Sequence, residues 1–238
     1  LSERVYSLAV RLFAPVYELV YPPVCRGCSR RLPKTGRLLC GQCTSNLPAV
    51  SYDSGVYQTA WNRICGEEQC HSLIACFLFR EEEVLQELIH RIKYNGDEKL
   101  AVELGRLIAP QVILHCREMK VDGVIPLPLH RSRRRERGFN QAERIASGVA
   151  RSTGYRLMTP LRRRRYTPSQ TRLSAAERTA NVRDAFVVPR RRADQVRGKR
   201  FILVDDVLTT GATLREAAGS LTEKGALPPV ACVVALAD

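Results

Sequence analysis

Phe201-Ile202-Leu203-Val204-Asp205-Asp206-Val207-Leu208-Thr209-Thr210-Gly211-Ala212-Thr213 is the stretch on which the fold turns. Its near-continuous apolar start predicts a strand buried on both faces, as in a parallel sheet covered by helices. Two aspartates, hydroxyls and a glycine follow, and then a helical pattern from Thr213 to Lys224. At the carboxyl end of a parallel strand, the amides of Leu208, Thr209, Thr210, Gly211 and Ala212 can curl around a phosphate, aided by the helix N-terminus behind them. Thr209, Thr210 and Thr213 add hydroxyl donors, and Gly211 lets the backbone approach closely. Asp205 and Asp206 would then accept hydrogen bonds from two vicinal sugar hydroxyls and balance positive charge on a breaking anomeric centre. Two other readings of the acid pair stay open: a helix N-cap favourable to the macrodipole, or a direct magnesium site.

Outward from this stretch, strands and helices alternate. Ser72 to Phe79 predicts the first strand. A helix to about Lys93, a turn at Asn95-Gly96 and a longer helix from about Glu98 to Arg117 follow, with Pro110 expected to kink or interrupt the last. Gly123 to Leu129 reads as a strand ending in prolines, and Asn140 to Ser152 as a helix; Pro229 to Ala237 is a further buried strand. The pattern is that of an α/β domain with a parallel sheet and flanking helices.

Cys25-x2-Cys28 and Cys40-x2-Cys43, with eleven residues between the pairs, have the spacing of a four-thiolate zinc site. A tight turn aims each pair of sulfurs at one metal, which would close a segment too small to have its own core. An iron site of similar shape, or four reduced structural cysteines, is the competing reading. Cys65, Cys70 and His71 make a poor second site for want of a fourth ligand, and Cys76, Cys116 and Cys232 sit in apolar patterns as small hydrophobes. Nine cysteines without an export signal argue against a disulfide framework and for a reducing, cytoplasmic setting.

Ahead of the quartet, Val5, Leu8, Leu12, Val16 and Leu19 recur at helical spacing, while Glu3, Arg4, Arg11 and Glu18 break the stretch as a signal peptide. No apolar run reaches the roughly 18 residues of a membrane span. The expected organisation is an amphipathic helix over 1–21, a four-cysteine module over 22–50, a linker over 51–71 and the α/β domain over 72–238.

The net charge of +14 is concentrated. Residues 130–200 hold 21 Lys and Arg against 5 Asp and Glu, with clusters at Arg131 to Arg135, Arg162 to Arg165 and Arg190 to Arg192. Such a region suits polyanions, whether phosphorylated small molecules, nucleic acid or both, although any one cluster can be a solvated loop.

Hydrophobic residues followed by Asp-Asp, two more positions and Thr-Thr-Gly resemble the signature with which type I phosphoribosyltransferases bind phosphoribosyl pyrophosphate (PRPP). Together with the paired Cys-x2-Cys, Leu88 to Tyr94, Pro126 to His130, Arg137-Gly138-Phe139-Asn140-Gln141 and Thr167-x2-Gln170-x2-Leu173, the chain is similar to the ComF family of competence-associated phosphoribosyltransferase-like proteins. The resemblance implies a type I phosphoribosyltransferase fold preceded by a small zinc-binding domain with four cysteine ligands. It implies that Arg131, Arg134 and Arg135 grip the pyrophosphate end of PRPP, that Mg2+ accompanies PRPP, and that Arg162 to Thr171 forms a mobile hood. Arg178 and Asn181 also match, without a chemical role. A part in DNA uptake, single-stranded DNA binding and association with competence-machinery proteins are implied in the same way. Turnover of PRPP, as against binding alone, stays open. The alternative is nucleobase salvage, which an arginine-rich hood suits poorly.

Overall fold

The structure, a computed structural model, describes residues 22–33, 36–66, 68–81, 83–164 and 185–237. The expected helix over 1–21 and most of the hood, with Tyr166, Thr167, Gln170, Leu173, Arg178 and Asn181, lie outside the described residues. The chain forms two compact units, one ending at Leu47 and one beginning at Pro48.

The first unit is built from tight turns. Val24 and Arg31 form an antiparallel bridge, and the turn between them closes through Cys25 N–H to the Arg30 carbonyl at 2.8 Å and Ser29 N–H to the Cys25 carbonyl at 2.9 Å. A short helix α1 (Gly41–Ser45) starts where the Cys40 side chain accepts from the Cys43 amide. Among the described residues the buried side chains here are Cys25, Leu32, Leu39, Cys43 and Leu47, too few to make a core of their own.

The second unit centres on a four-stranded parallel sheet of β1 (Ser72–Phe79), β2 (Gly123–Pro126), β5 (Phe201–Leu208) and β6 (Val230–Ala237), in the order β1-β6-β5-β2. The central strands β5 and β6 are almost wholly buried, which their unbroken apolar sequences require. β5 runs on through both aspartates, with Asp205 opposite Val233 and Leu208 opposite Leu236. That continuation carries the acid pair to the carboxyl edge of the sheet, where ligands of open α/β sheets bind.

Helices α3 (Val84–Tyr94) and α4 (Glu98–Cys116) join β1 to β2. Pro110 lies inside α4, which continues through it. Helices α5 (Arg131–Arg137) and α6 (Gln141–Thr153) follow β2, and a two-stranded antiparallel ribbon of β3 (Arg162–Arg163) and β4 (Phe186–Val187) stands apart from the main sheet. A helical turn α7 (Ala193–Val196) precedes β5, and α8 (Ala212–Thr222) links β5 to β6. α4 and α6 cross at two glycines. A Cβ on Gly105 would lie 2.1 Å from the Ile145 carbonyl oxygen, and one on Gly148 would lie 2.1 Å from that of Val102. Only hydrogen at both positions lets the backbones come so close.

Two boundaries differ from the sequence-based expectation. Residues 48–50, expected in the cysteine module, pair with β1: Ala49 bridges Phe77, the Val50 amide donates to the Cys76 carbonyl, and the Leu78 amide donates to that of Pro48. The expected linker over 51–71 contains helix α2 (Gly55–Cys65), capped by Ser54, whose hydroxyl accepts from the Tyr57 amide. α2 buries Tyr57, Ala60, Ile64 and Cys65, and the Tyr57 hydroxyl donates to the Leu73 carbonyl at 2.7 Å. A face made of a tyrosine, an alanine and a cysteine around one isoleucine has little apolar contrast, so its helical period is faint in the sequence.

Candidate functional site

A cleft of about 290 Å³ opens at the carboxyl edge of the sheet. Asp205, Asp206, Thr209, Thr210, Gly211 and Thr213 line one side, from the end of β5 to the start of α8. Gly211 holds φ at 75° as it starts α8, a left-handed turn that glycine adopts without strain. Ala212 is buried as the first residue of α8, and its amide faces the Thr210 hydroxyl at 3.5 Å. The loop is therefore Thr209, Thr210 and Gly211 alone, with an eleven-residue helix directly behind it.

The other side comes from segments far away in sequence. Lys93, near the end of α3, places Nζ 3.1 Å from Asp206 Oδ2, with both side chains largely shielded. Arg133 and Arg137 reach the cleft from α5, and Arg163 from β3. The Arg137 guanidinium donates to Gln141 Oε1 at 3.2 Å. Asn140 Nδ2 donates to the Leu127 carbonyl at 2.9 Å, which fastens the start of α6 to the end of β2. Four cationic side chains thus share the cleft with two carboxylates, an excess of positive charge that favours an anionic ligand.

The two carboxylates oppose one another electrostatically. Burial, and then the neighbouring Asp206 carboxylate, push Asp205 up to about 7, against the pull of the Asp206 amide, Lys93 and Arg163. Burial pushes Arg163 down, with the charge of Arg133 adding to it and that of Asp205 opposing it. Both aspartate side chains turn along the chain: Asp205 Oδ1 accepts from the Asp206 amide at 2.9 Å, and Asp206 Oδ1 from the Val207 amide at 2.7 Å.

Asp205, Asp206, Thr209, Thr210, Gly211 and Thr213 are brought together around one cleft. Arg131, Arg134 and Arg135 are not: all three are exposed on the outer face of α5, where Arg134 reaches Glu143 at 3.6 Å. The reason is periodicity. The stretch is a helix, not an open loop, and positions four apart share a face, so Arg133 and Arg137 turn inward. No chemical argument from sequence singles out Lys93 or Arg163, although each stands in a stretch that the sequence marks, Leu88 to Tyr94 by resemblance and Arg162 to Arg165 by charge.

In the first unit, the sulfurs of Cys25, Cys28, Cys40 and Cys43 all lie within 4.8 Å of one another. Two backbone amides already point at them, Cys40 N–H to Cys25 Sγ at 3.2 Å and Cys43 N–H to Cys40 Sγ at 3.4 Å. Burial raises the Cys25 thiol, but amides of Cys40, Cys28 and Gly27 outweigh it and bring it to about 6. Burial and the three neighbouring sulfurs push Cys43 the other way. A thiophilic divalent cation would relieve this conflict by binding all four sulfurs as thiolates and offsetting much of their charge, so the donor set fits a metal such as zinc. Cys65, Cys70 and His71 form no metal-ligand cluster among the described residues. Burial lifts Cys65, Cys70, Cys76 and Cys116 to about 11 or 12, so they stay protonated and inert as packing residues.

Residues 136–238 match the phosphoribosyl transferase domain family. DNA utilization protein YhgH of Escherichia coli O6:H1 is 35% identical over 147 residues, 60% of this chain and 63% of that protein. Competence protein F of Haemophilus influenzae is 28% identical over 209 residues, 85% of each chain. Competence protein ComFC of Bacillus subtilis is 28% identical over 205 residues, 85% of this chain and 79% of that one. The chain thus spans less than two thirds of the YhgH proteins it matches. No described helix is long and apolar enough to cross a membrane. With the parallel sheet, the acid pair at its carboxyl edge and the four-cysteine cluster ahead of it in sequence, the chain has a phosphoribosyltransferase fold and is similar to the ComF-type competence proteins over most of its length.

Proposed function

We propose that the cleft binds PRPP with magnesium, and that the chain acts in DNA uptake by holding single-stranded DNA on its basic face. The observation that carries the first half is the acid pair at the end of β5, set among Lys93, Arg133, Arg137 and Arg163. Asp205 and Asp206 accept from the two ribose hydroxyls. The 5′-phosphate sits on the Thr209 to Thr213 turn, where amides, hydroxyls and the N-terminus of α8 all favour an anion. The pyrophosphate lies toward Arg133, Arg137 and Arg163, whose planar forks each pair two oxygens. This assignment puts Arg133 and Arg137 where the family resemblance puts Arg131, Arg134 and Arg135. Magnesium, when bound with PRPP, supplies further neutralisation of the pyrophosphate.

In such a site, phosphoribosyl transfer would proceed with the carboxylates stabilising positive charge on the ribose while the arginines hold the leaving group. The DNA half rests on relatives named for competence and DNA utilization and on the basic excess of residues 130–200. The test combines PRPP, magnesium and, in turn, nucleobases, small amines or single-stranded DNA, with pyrophosphate release as readout beside Asp205→Asn/Asp206→Asn. PRPP binding by calorimetry is expected in the wild type and lost in the double variant, while DNA binding survives in both. No PRPP binding by the wild type overturns the site; release dependent on a nucleobase identifies a salvage enzyme instead.

A further inference from the structure

An aromatic ring stands exposed beside the cleft. Tyr94, the last residue of α3, leaves 63% of its surface to solvent, although the preceding residue, Lys93, is drawn in to Asp206. Its ring stands 4.6 Å from that of His90, one helical turn back and itself exposed. The Arg137 guanidinium carbon lies over the ring, 5.9 Å from its centroid, near the outer limit of a cation–π contact. Arg137 also lines the cleft, and its helix α5 turns Arg131, Arg134 and Arg135 outward. Among the described residues of the basic stretch 130–200, Phe139 and Phe186 are buried and Tyr155 is half-buried.

An exposed ring flanked by a histidine and an arginine, at one end of a row of outward arginines, is the arrangement that single-stranded nucleic acid uses: phosphates track the cations and an unstacked base lies on the ring. Duplex has no free base face to offer, and a protein partner has no need of so many guanidiniums in a row. We propose that Tyr94 is a stacking platform for an unpaired base at the mouth of the cleft, with Arg131, Arg134 and Arg135 holding the adjoining phosphates. The proposal rests on the DNA-binding reading above and assigns it a place.

The test is fluorescence anisotropy of a labelled oligothymidylate with the full chain. Tyr94→Ala weakens binding roughly tenfold, within the range of one lost base stack, while Tyr94→Phe binds like the wild type because stacking needs only the ring. An abasic strand of equal length weakens the wild type and gives no further loss with Tyr94→Ala. The salt dependence of Tyr94→Ala is unchanged, whereas Arg131→Ala/Arg134→Ala/Arg135→Ala flattens it, by about 0.7 in the log–log slope for each phosphate left unpaired. Wild-type affinity in Tyr94→Ala overturns the platform and leaves the DNA reading standing. Absence of DNA binding by the wild type removes both, and PRPP calorimetry on the same sample then decides the cleft independently.

Discussion

The two units reach their chemistry from opposite directions. In the first, the reactive groups make the fold: four sulfurs within 4.8 Å of one another stand in for a core that the three buried leucines among the described residues cannot supply. In the second, the fold makes the chemistry: a largely buried sheet sets the end of β5 in place, and side chains as distant as Lys93 and Asp206 meet at its edge. The first kind of site is written in local spacing. The second is spread over the chain and becomes visible only once the core has formed.

Metal removal tests that difference most severely. Zinc in such a site contributes apparent folding free energies of about 10–16 kcal/mol in small modules, far beyond what the few buried leucines offer. Chelation, or Cys25→Ser with Cys43→Ser, is expected to abolish hydrogen-exchange protection at the Cys25, Cys40 and Cys43 amides, each hydrogen-bonded in the folded unit. The amides of β5 and β6 keep theirs. Protection that outlasts chelation would mean the first unit folds without its metal; joint loss would mean the second unit needs it too.

The second unit should fail instead through packing. At the crossing of α4 and α6, Gly148→Ala forces apart backbones that touch, at a cost of about 1–3 kcal/mol or more in urea-unfolding stability. Gly219→Ala is the matched control, because a Cβ there meets nothing within 4 Å and the residue sits within helix α8. It is expected to gain about 0.4–1 kcal/mol. Equal effects at the two positions would mean that the close approach does not limit stability.

Legibility in the sequence follows the same division. The cysteine quartet is readable because its ligands are separated by two and eleven residues, and β5 is readable because a buried parallel strand shows as a continuous apolar run. The Asp-Asp pair and the Thr-Thr-Gly turn follow that run directly. Arg133 and Arg137 do not stand out from their neighbours, because in a run of arginines nothing marks which face turns inward; only the helical geometry of α5 does so. Lys93 stands at the end of an ordinary amphipathic helix, where a lysine is also what the helix dipole favours. Its partner is more than a hundred residues away, and no local pattern connects them. The ligand side of Arg163 is equally non-local, set by the β3–β4 ribbon.

The smallest expected effect is also the most specific to the cleft. Asp205 titrates near 7 in the folded chain, against 3.8 for an ordinary aspartate. Between those values the native state binds more protons than the unfolded one, so this group makes stability fall as pH rises from about 4 to 7 and has no further effect above. Ligand binding runs the other way: an ionised Asp205 accepts from the ribose hydroxyls, so PRPP affinity rises with pH through about 7, by at most tenfold per unit below it. Calorimetry from pH 6 to 9 in magnesium measures the midpoint, and Asp205→Asn subtracts the titration of the ligand's own phosphates. Lys93→Met removes a cation that pulls Asp205 down, so the midpoint moves up; Asp206→Asn removes the carboxylate that pushes it up, so the midpoint moves down. Opposite shifts from two substitutions on the same ion pair cannot arise from a general loss of structure. If both variants keep the wild-type midpoint, the titrating group lies elsewhere, and the cleft is not the tightly coupled charge cluster that its geometry describes.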